Sequence, residues 1–191
     1  MQLEGRTVIV TGGSDGIGRH ICLRLAGEGC RLAILGRNEA RLAEVAEEAQ
    51  ALGAPQARGY AADMTDPEAL ASAAAAIQSD FSELDILINN AGIWHKAGPL
   101  DTIPDEVLVA TVQTNLTGLM QLTRHFLPAL RSRDEAAVLN VSSKSGVLAQ
   151  AGQSVYTATK YGVRTQTCLL DAYLTPVLKH YVSQICDRFH G

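Results

Sequence analysis

A glycine-rich stretch, Thr11 to Gly18 (TGGSDGIG), constrains the fold more than any other part of the chain. It directly follows Thr7 to Val10, a β-branched apolar run that is typical of a buried parallel strand. Beyond Gly18, apolar residues recur at helical spacing, which predicts a helix that begins inside the glycine stretch. Because the positive end of that helix faces a turn without side chains, the arrangement predicts a pyrophosphate cradle. The candidate cofactor-binding residues of this turn are Gly12, Ser14, Asp15, Gly16, Ile17 and Gly18.

The same glycines also have a purely structural interpretation, since a tight strand-to-helix turn requires them as well. Gly12, Gly16 and Gly18 follow the spacing G-x-x-x-G-x-G, which differs from the G-x-G-x-x-G of many dinucleotide folds. The chain also lacks a G-x-x-x-x-G-K-[ST] element, which argues against a nucleoside triphosphatase. The choice between cradle and simple turn therefore depends on motifs further along the chain.

Composition and charge narrow the function classes. The 191 residues are 47% hydrophobic and 19% charged, which fits one domain with a substantial core. A net charge of −4 without a Lys/Arg cluster argues against nucleic acid and anionic membranes as partners. We find no signal-peptide pattern and no apolar segment of roughly 20 residues, so we expect a soluble, cytoplasmic protein. Cys22, Cys30, Cys168 and Cys186 lack CxxC spacing, so we expect reduced thiols and no metal site.

A second predicted strand, Arg31 to Leu35, ends in Gly36 and Arg37. In dinucleotide folds an acidic side chain near this position holds the ribose 2′-hydroxyl of NAD, whereas an arginine accommodates the 2′-phosphate of NADP. The planar guanidinium of Arg37 suits a phosphate and no carboxylate occupies the strand end, so NADP is favoured over NAD. Glu39 lies close by and tempers that preference. The alternative interpretation of Arg37 is a solvated loop charge.

Two later motifs carry further chemistry. Asn90, Ala91 and Gly92 follow a predicted fourth strand, where small residues let a cofactor approach and amides tie strands together. Tyr156 and Lys160 lie one helical turn apart, so the ammonium is within reach of the phenol. A nearby cation favours the phenolate and makes such a tyrosine a proton donor and acceptor at neutral pH. Taken alone, this pair would be interpreted as a core tyrosine beside a solvated lysine, because the spacing occurs by chance in many helices.

In order along the chain, TGGSDGIG, NNAG, TNLTG around Asn115, the Ser142-Ser143 doublet and YTATK resemble the short-chain dehydrogenase/reductase family. The resemblance extends from Met1 to about Gln166, and chance does not produce this set of motifs in this order. It implies an α/β fold with a Rossmann-type doubly wound parallel sheet and the strand order 3-2-1-4-5. It also implies one dinucleotide-binding and catalytic domain over residues 1–167.

The resemblance implies an oxidoreductase that transfers a hydride between NADP(H) and a small carbonyl or alcohol substrate. Tyr156 is the implied proton donor and acceptor, and Lys160 is implied to bind the nicotinamide ribose and to favour the phenolate. Ser143 is implied to hydrogen-bond the substrate oxygen, while Ser142 ends the fifth strand. Asn115 lies in a predicted helix from Thr102 to Leu130, and the resemblance implies that it holds a water for proton relay.

Three residues remain ambiguous under this resemblance. NADP-preferring members often carry a basic residue where this chain has Asp15, which weakens the preference that Arg37 indicates. Asp63 follows a weak third strand, Gln56 to Ala62, and is implied to contact the adenine ring, with capping of the next turn as the alternative. Asn90 either contacts the cofactor or supports the sheet.

Beyond Thr167 the sequence departs from the family pattern. We expect the sixth and seventh strands, the Pro-Gly segment that holds the nicotinamide carboxamide, and the continuation of the Tyr156 helix to be missing. Thr175 and Pro176 instead begin a segment with apolar residues at helical spacing, so residues 168–191 are expected to form an atypical helical end of the domain. Three roles are open for it: replacing the missing layer, covering the edge of the fifth strand, or pairing with another subunit in a homo-oligomer.

Three functions therefore stay open from the sequence. The first is a working NADP-dependent reductase, which the intact Ser143, Tyr156 and Lys160 favour. The second is a catalytically impaired cofactor-binding or interaction module, which the altered end of the chain favours. The third is an epimerase or dehydratase, since one scaffold hosts several chemistries.

Overall fold

Strands and helices alternate along the chain in a computed structural model, which describes the backbone of residues 2–174 and the side chains up to residue 167. The strands are β1 (Thr7–Thr11), β2 (Arg31–Gly36), β3 (Ala57–Ala61), β4 (Ile86–Asn89) and β5 (Ala137–Asn140). The helices are α1 (Gly16–Ala26), α2 (Glu39–Ala51), α3 (Pro67–Asp80), α4 (Asp105–Val112), α5 (Gly118–Arg131) and α6 (Ser154–Leu174). All strand pairs are parallel, and the order β3-β2-β1-β4-β5 confirms the predicted fold class and topology.

Helices cover both faces of the sheet, because successive side chains of each buried strand point to opposite faces. On one face, α1 and α2 pack against Val8, Val10 and Ile34. On the other face, α3, α5 and α6 pack against Ile9 and Leu87. The continuous apolar runs in the sequence thus reflect strands that are buried on both sides.

The chain order of the strands reverses next to β1, which pairs with β2 on one side and with β4 on the other. Val8 of β1 lies opposite Leu32 of β2 and Ile86 of β4. In open parallel sheets, the crevice outside the carboxyl ends of the strands at such a switch point is the usual ligand site. The topology therefore predicts a ligand site among the loops that follow β1, β2 and β4.

The predicted helix from Thr102 to Leu130 has different bounds in the structure. Leu100–Thr102 forms a short 3₁₀ turn, and α4 begins only at Asp105, directly after Pro104. A π-helical turn, Gln113–Thr117, then separates α4 from α5. Apolar residues keep their helical spacing through the 3₁₀ turn and the π-helical turn, so the sequence pattern predicts neither irregularity.

The expectation that the Tyr156 helix does not continue is wrong, because α6 runs on to Leu174. Val163 is fully buried in the core, and the Thr167 hydroxyl accepts a hydrogen bond of 2.9 Å from Asn140 of β5. These contacts hold the helix against the sheet. Within residues 2–174 no sixth strand follows β5. The helix predicted from Thr175 onwards lies outside the described residues.

The two described cysteines, Cys22 and Cys30, are free thiols in the core. Burial raises the pKa of Cys22 to about 12 and that of Cys30 to about 11, so both are protonated and poorly nucleophilic at neutral pH. Among the described helices, none combines the length and the apolar character needed to cross a bilayer.

Candidate active site

The glycine turn between β1 and α1 has a backbone that side chains would disturb. Gly12 and Gly16 adopt positive φ angles of 65° and 52°. Gly18 approaches the chain closely, since a Cβ there would lie 2.0 Å from the carbonyl oxygen of Gly12. Asp15 is the N-cap of α1 and accepts a hydrogen bond of 2.7 Å from the Gly16 N–H. The helix thus begins inside the turn, with the positive end of its dipole at the carboxyl edge of the sheet.

Asn90, which follows β4, fixes this turn to the neighbouring strand. Its Nδ2 donates hydrogen bonds to the carbonyl oxygens of Thr11 at 3.0 Å and Gly12 at 3.3 Å. The N–H groups of Asn90 and Ala91 both donate to the Thr11 hydroxyl, at 3.0 Å and 2.9 Å. Asn90 therefore supports the sheet, and it also lines the cavity described next.

A cavity of about 540 Å³ lies along the carboxyl edge of the sheet beside this turn. Its volume is within the range of about 300–1,000 Å³ that is usual for ligand sites. The cavity reaches from the ends of β2 and β3 to α6, and every residue predicted to bind the cofactor lines it, although their binding roles stay predictions. These residues are Gly12, Ser14, Asp15, Gly16, Ile17, Gly18, Arg37, Asp63, Asn90, Ala91, Gly92, Tyr156 and Lys160.

The end of the cavity beside β2 and β3 carries charged side chains. Arg37 is 72% exposed, and its Nη1 lies 3.9 Å from Oδ2 of Asp63. Oδ1 of Asp63 accepts hydrogen bonds of 2.8 Å from the N–H and the hydroxyl of Thr65. Burial alone would raise the pKa of Asp63, but these hydrogen bonds and the Arg37 charge hold it below its ordinary value. Asp63 thus stabilises its own turn while facing the cavity, and Asp66 caps α3.

Tyr156 and Lys160 lie at the opposite end of the cavity, one turn apart on α6. Lys160 is 5% exposed, and its Nζ donates a hydrogen bond of 2.9 Å to the carbonyl oxygen of Val141, just after β5. The same Nζ lies 5.8 Å from the centre of the Tyr156 ring. Burial lowers the pKa of the Lys160 ammonium below its ordinary value. The pair therefore has the proximity that acid–base chemistry at a phenol needs.

Asn115 lies in the π-helical turn, outside the cavity wall that the described residues form. Its Oδ1 accepts a hydrogen bond of 2.7 Å from the Ile93 N–H, and its Nδ2 donates one of 2.8 Å to the Ile93 carbonyl oxygen. Nδ2 also lies 3.3 Å from the hydroxyl of Thr159, the neighbour of Lys160 on α6. The side chain thus joins the loop after β4 to α6, and its role in proton relay stays a prediction.

Ser143 also lies outside the wall formed by the described residues, and its neighbour Ser142 lines the cavity together with Tyr156. The Ser143 hydroxyl oxygen accepts a hydrogen bond of 3.2 Å from the Ser145 N–H at the start of a 3₁₀ turn, Lys144–Gly146. The sequence interpretation gives Ser142 only the role of ending the strand. Two adjacent serines offer no local signal that tells which hydroxyl faces a cavity.

Arg41 is a charged residue of this region that the sequence interpretation does not single out. Its Nη1 lies 2.7 Å from Oδ2 of Asp15 in the glycine turn, 26 residues earlier in the chain. Its local signal is its position in the first turn of α2, three residues after the N-cap Asn38. The contact forms because β1 and β2 are neighbours in the sheet.

Comparisons with known proteins agree with this geometry. A family model described as short chain dehydrogenase matches residues 6–176. The D-beta-hydroxybutyrate dehydrogenase of Cupriavidus necator is 37% identical over 161 residues, which are 84% of this chain and 62% of that enzyme. Among solved structures, a metagenomic short-chain oxidoreductase in complex with NADP superposes with a TM-score of 0.85 at 31% identity, covering 91% of this chain and 78% of that one.

A second solved structure, NAD⁺-bound xylitol dehydrogenase, superposes with a TM-score of 0.86 at 26% identity, covering 92% of this chain and 67% of that one. Proteins with this fold and similar sequences thus hold either nicotinamide cofactor. The chain spans 51% to 65% of the length of several curated relatives that it matches.

Proposed function

The chain belongs to the short-chain dehydrogenase family, and on that premise we propose that it is an NADP(H)-preferring oxidoreductase that interconverts a small-molecule carbonyl and alcohol by hydride transfer. The observation that carries the proposal is one continuous cavity that joins the glycine turn, Arg37 and the Tyr156–Lys160 pair. Phosphate binding, selection of the 2′-phosphate and proton transfer thereby belong to a single site.

The residues present fit a nicotinamide dinucleotide. A Cβ at Gly16 would project into open space, so the turn leaves room for phosphates beside the N-terminus of α1. Strand β2 ends at Gly36 and Arg37 follows it directly, with no carboxylate in either residue, and a guanidinium pairs well with a 2′-phosphate. When bound, the cofactor supplies the hydride for reduction or accepts it in oxidation.

Proton transfer falls to the chain's own residues. In the direction of reduction, Tyr156 donates its hydroxyl proton to the substrate oxygen, and in oxidation it takes that proton back. Lys160, which its hydrogen bond to Val141 holds in place, lies beside the Tyr156 ring and binds the nicotinamide ribose. Ser143 hydrogen-bonds the substrate oxygen once its hydroxyl turns from the Ser145 N–H towards the cavity that Ser142 lines, and Asn115 supports the relay that restores the proton.

Tyr156→Phe tests the proposal, with Tyr161→Phe as its matched control. Tyr161 lies on the same helix but outside the cavity wall of the described residues, and its hydroxyl donates to the Val147 carbonyl oxygen. With NADPH and a panel of small ketones and aldehydes, we expect Tyr156→Phe to lose activity by about 10²- to 10⁴-fold while Tyr161→Phe stays near wild type. Calorimetric titration of NADPH should give the same affinity for all three proteins.

Retained turnover in Tyr156→Phe would overturn the assignment of the proton donor. A wild-type protein that binds NADPH but reduces no carbonyl compound would instead support the cofactor-binding module. The cytoplasmic location and the homo-oligomer stay predictions from the sequence.

A further inference from the structure

Two arginines and two carboxylates lie around the β2–β3 end of the cavity. Arg37, Asp15 and Asp63 line the wall, whereas Arg41 lies behind Asp15 and outside the wall of the described residues. At this end, the described part of the wall therefore carries one cation, Arg37, and two anions, Asp15 and Asp63. A bare carboxylate in this position would repel a phosphate, and the 2′-phosphate of NADP brings more negative charge than the hydroxyl of NAD.

The carboxylate of Asp15 is held from two sides. Oδ1 accepts a hydrogen bond of 2.7 Å from the Gly16 N–H, and Oδ2 lies 2.7 Å from Nη1 of Arg41. The backbone of Arg41 is fixed in turn, since its N–H donates a hydrogen bond of 3.0 Å to the side chain of Asn38, the N-cap of α2. Arg41 thus contacts the glycine turn from α2, which lies on the same face of the sheet as α1.

We infer that Arg41 is a specificity-determining positioning residue: by pairing with Asp15 it neutralises the carboxylate in the glycine turn and so allows the adenosine 2′-phosphate to bind beside Arg37. The inference rests on the proposed function, because it requires that the cavity binds a nicotinamide dinucleotide. The guanidinium of Arg41 supplies, from α2, the positive charge that the glycine turn lacks at Asp15.

Exposure makes the pair easy to test. The side chains of Arg41 and Asp15 are 56% and 72% exposed, so the ion pair contributes little to folding, and its removal should leave the fold intact. Loss of the ion pair should weaken binding of the 2′-phosphate of NADP⁺ more than binding of the 2′-hydroxyl of NAD⁺, because only the phosphate group is charged. From Coulomb's law near a protein surface, we expect a change of about three- to tenfold in NADP⁺ affinity.

The experiment compares Arg41→Gln with Arg24→Gln by calorimetric titration of NADP⁺ and NAD⁺. Arg24 pairs with Glu28 at 2.6 Å in the last turn of α1, away from the glycine turn, so this control makes the same charge change at another exposed ion pair. Arg41→Gln should weaken NADP⁺ by about three- to tenfold and NAD⁺ by a clearly smaller factor, because both carry the pyrophosphate but only NADP⁺ also carries the 2′-phosphate. Arg24→Gln should change neither.

Adding Asp15→Asn to Arg41→Gln completes the test, because asparagine keeps the N-cap acceptor but removes the charge. We expect the double variant to recover most of the lost NADP⁺ affinity. Equal weakening of NADP⁺ and NAD⁺ in Arg41→Gln, or no recovery in the double variant, would overturn the inference while cofactor binding stands. A wild-type protein that binds neither dinucleotide would overturn the proposed function itself, and the inference with it.

Discussion

Two glycines of the same turn exclude a side chain for different physical reasons. At Gly18 a Cβ would lie 2.0 Å from the Gly12 carbonyl oxygen and 2.6 Å from Nδ2 of Asn90, so the main chain would have to move. At Gly16 a Cβ would meet open space, and only the φ of 52° opposes a side chain. Close packing of α1 on β1 therefore depends on Gly18, whereas Gly16 sets the shape of the turn.

We expect Gly18→Ala to lower the free energy of unfolding by about 3 kcal/mol and to abolish dinucleotide binding, because the clash is with backbone atoms. Gly16→Ala is the matched variant in the same turn. It should cost only about 1 kcal/mol, the strain of a left-handed backbone with a Cβ. Urea denaturation measures both values, and equal costs would contradict the close approach at Gly18.

Single residues differ in how far their roles can be predicted from the sequence. The glycines are predictable because their spacing reflects the backbone of one local turn. Arg41 is not, because its partner Asp15 lies 26 residues earlier and the contact forms only across paired strands. For Ser142 and Ser143 the side chains are identical, so only the direction of the chain after β5 decides which one lines the cavity.

At the scale of elements, a cluster of ion pairs joins the amino ends of β1 and β4 to the segment before β5. Asp85 is 2% exposed and accepts hydrogen bonds from Arg6 at 2.9 Å, Arg133 at 3.1 Å and the Thr7 N–H at 2.9 Å. Burial alone would raise the pKa of Asp85, but these hydrogen bonds, that of Thr7 first, hold it below its ordinary value. Asp85 therefore stabilises the fold in its ionised form.

The lowered pKa fixes the sign of the pH dependence. The contribution of Asp85 to stability is present above the ordinary aspartate pKa of about 4 and is lost as the pH falls through the folded-state pKa. We expect Asp85→Asn to lower the free energy of unfolding by about 3 kcal/mol at neutral pH, because two arginines lose a buried partner. Urea denaturation at neutral pH and below about pH 4 should show a flatter acid dependence in the variant.

Glu135→Gln is the control for this cluster. Glu135 also pairs with Arg6, at 2.9 Å, but its side chain is 43% exposed, so its loss should cost less than about 1 kcal/mol. If Asp85→Asn were as stable as Glu135→Gln, or kept the acid dependence of the wild type, the structural role of Asp85 would be contradicted.

Element types follow from the sequence more reliably than element ends. The β-branched run of β1 and the helical periodicity of α1 are local properties, and the structure has these elements where predicted. The π-helical turn at Gln113–Thr117 leaves the apolar pattern intact, so that pattern did not reveal it. The length of α6 was missed because the family pattern ends near Thr167, whereas the buried Val163 and the Thr167–Asn140 hydrogen bond hold the helix against the sheet up to that residue.

At the scale of the whole molecule, parallel topology explains why motifs far apart in the chain meet. The glycine turn, Arg37, Asn90 and Val141 each follow a different strand, and all strands end at the same edge of the sheet. The edge of the sheet that carries the cavity was therefore predictable from motifs that each follow a strand, whereas the strand order was predicted from the family resemblance. The choice of cofactor was less predictable, because it depends on charges in the loops after three strands, β1, β2 and β3, and on one in α2.

A bound dinucleotide should raise the thermal stability of the whole fold. A ligand that binds only the folded state stabilises it by about 2.7 kcal/mol at a concentration of 100 times Kd, which corresponds to about 5–10 °C in Tm for a domain of this size. We expect NADP⁺ to give such a shift and NAD⁺ at the same concentration to give a clearly smaller one, since Arg37 pairs with the 2′-phosphate.

Differential scanning calorimetry at matched cofactor concentrations measures both shifts. Tyr156→Phe should show the wild-type shift, because the phenol hydroxyl acts on the substrate rather than on the phosphates. Gly18→Ala should show none, because its turn no longer fits the pyrophosphate. A cooperative transition that neither dinucleotide moves would contradict cofactor binding, and a larger shift with NAD⁺ would contradict the selection by Arg37 while leaving the cradle at Gly12 to Gly18 in place.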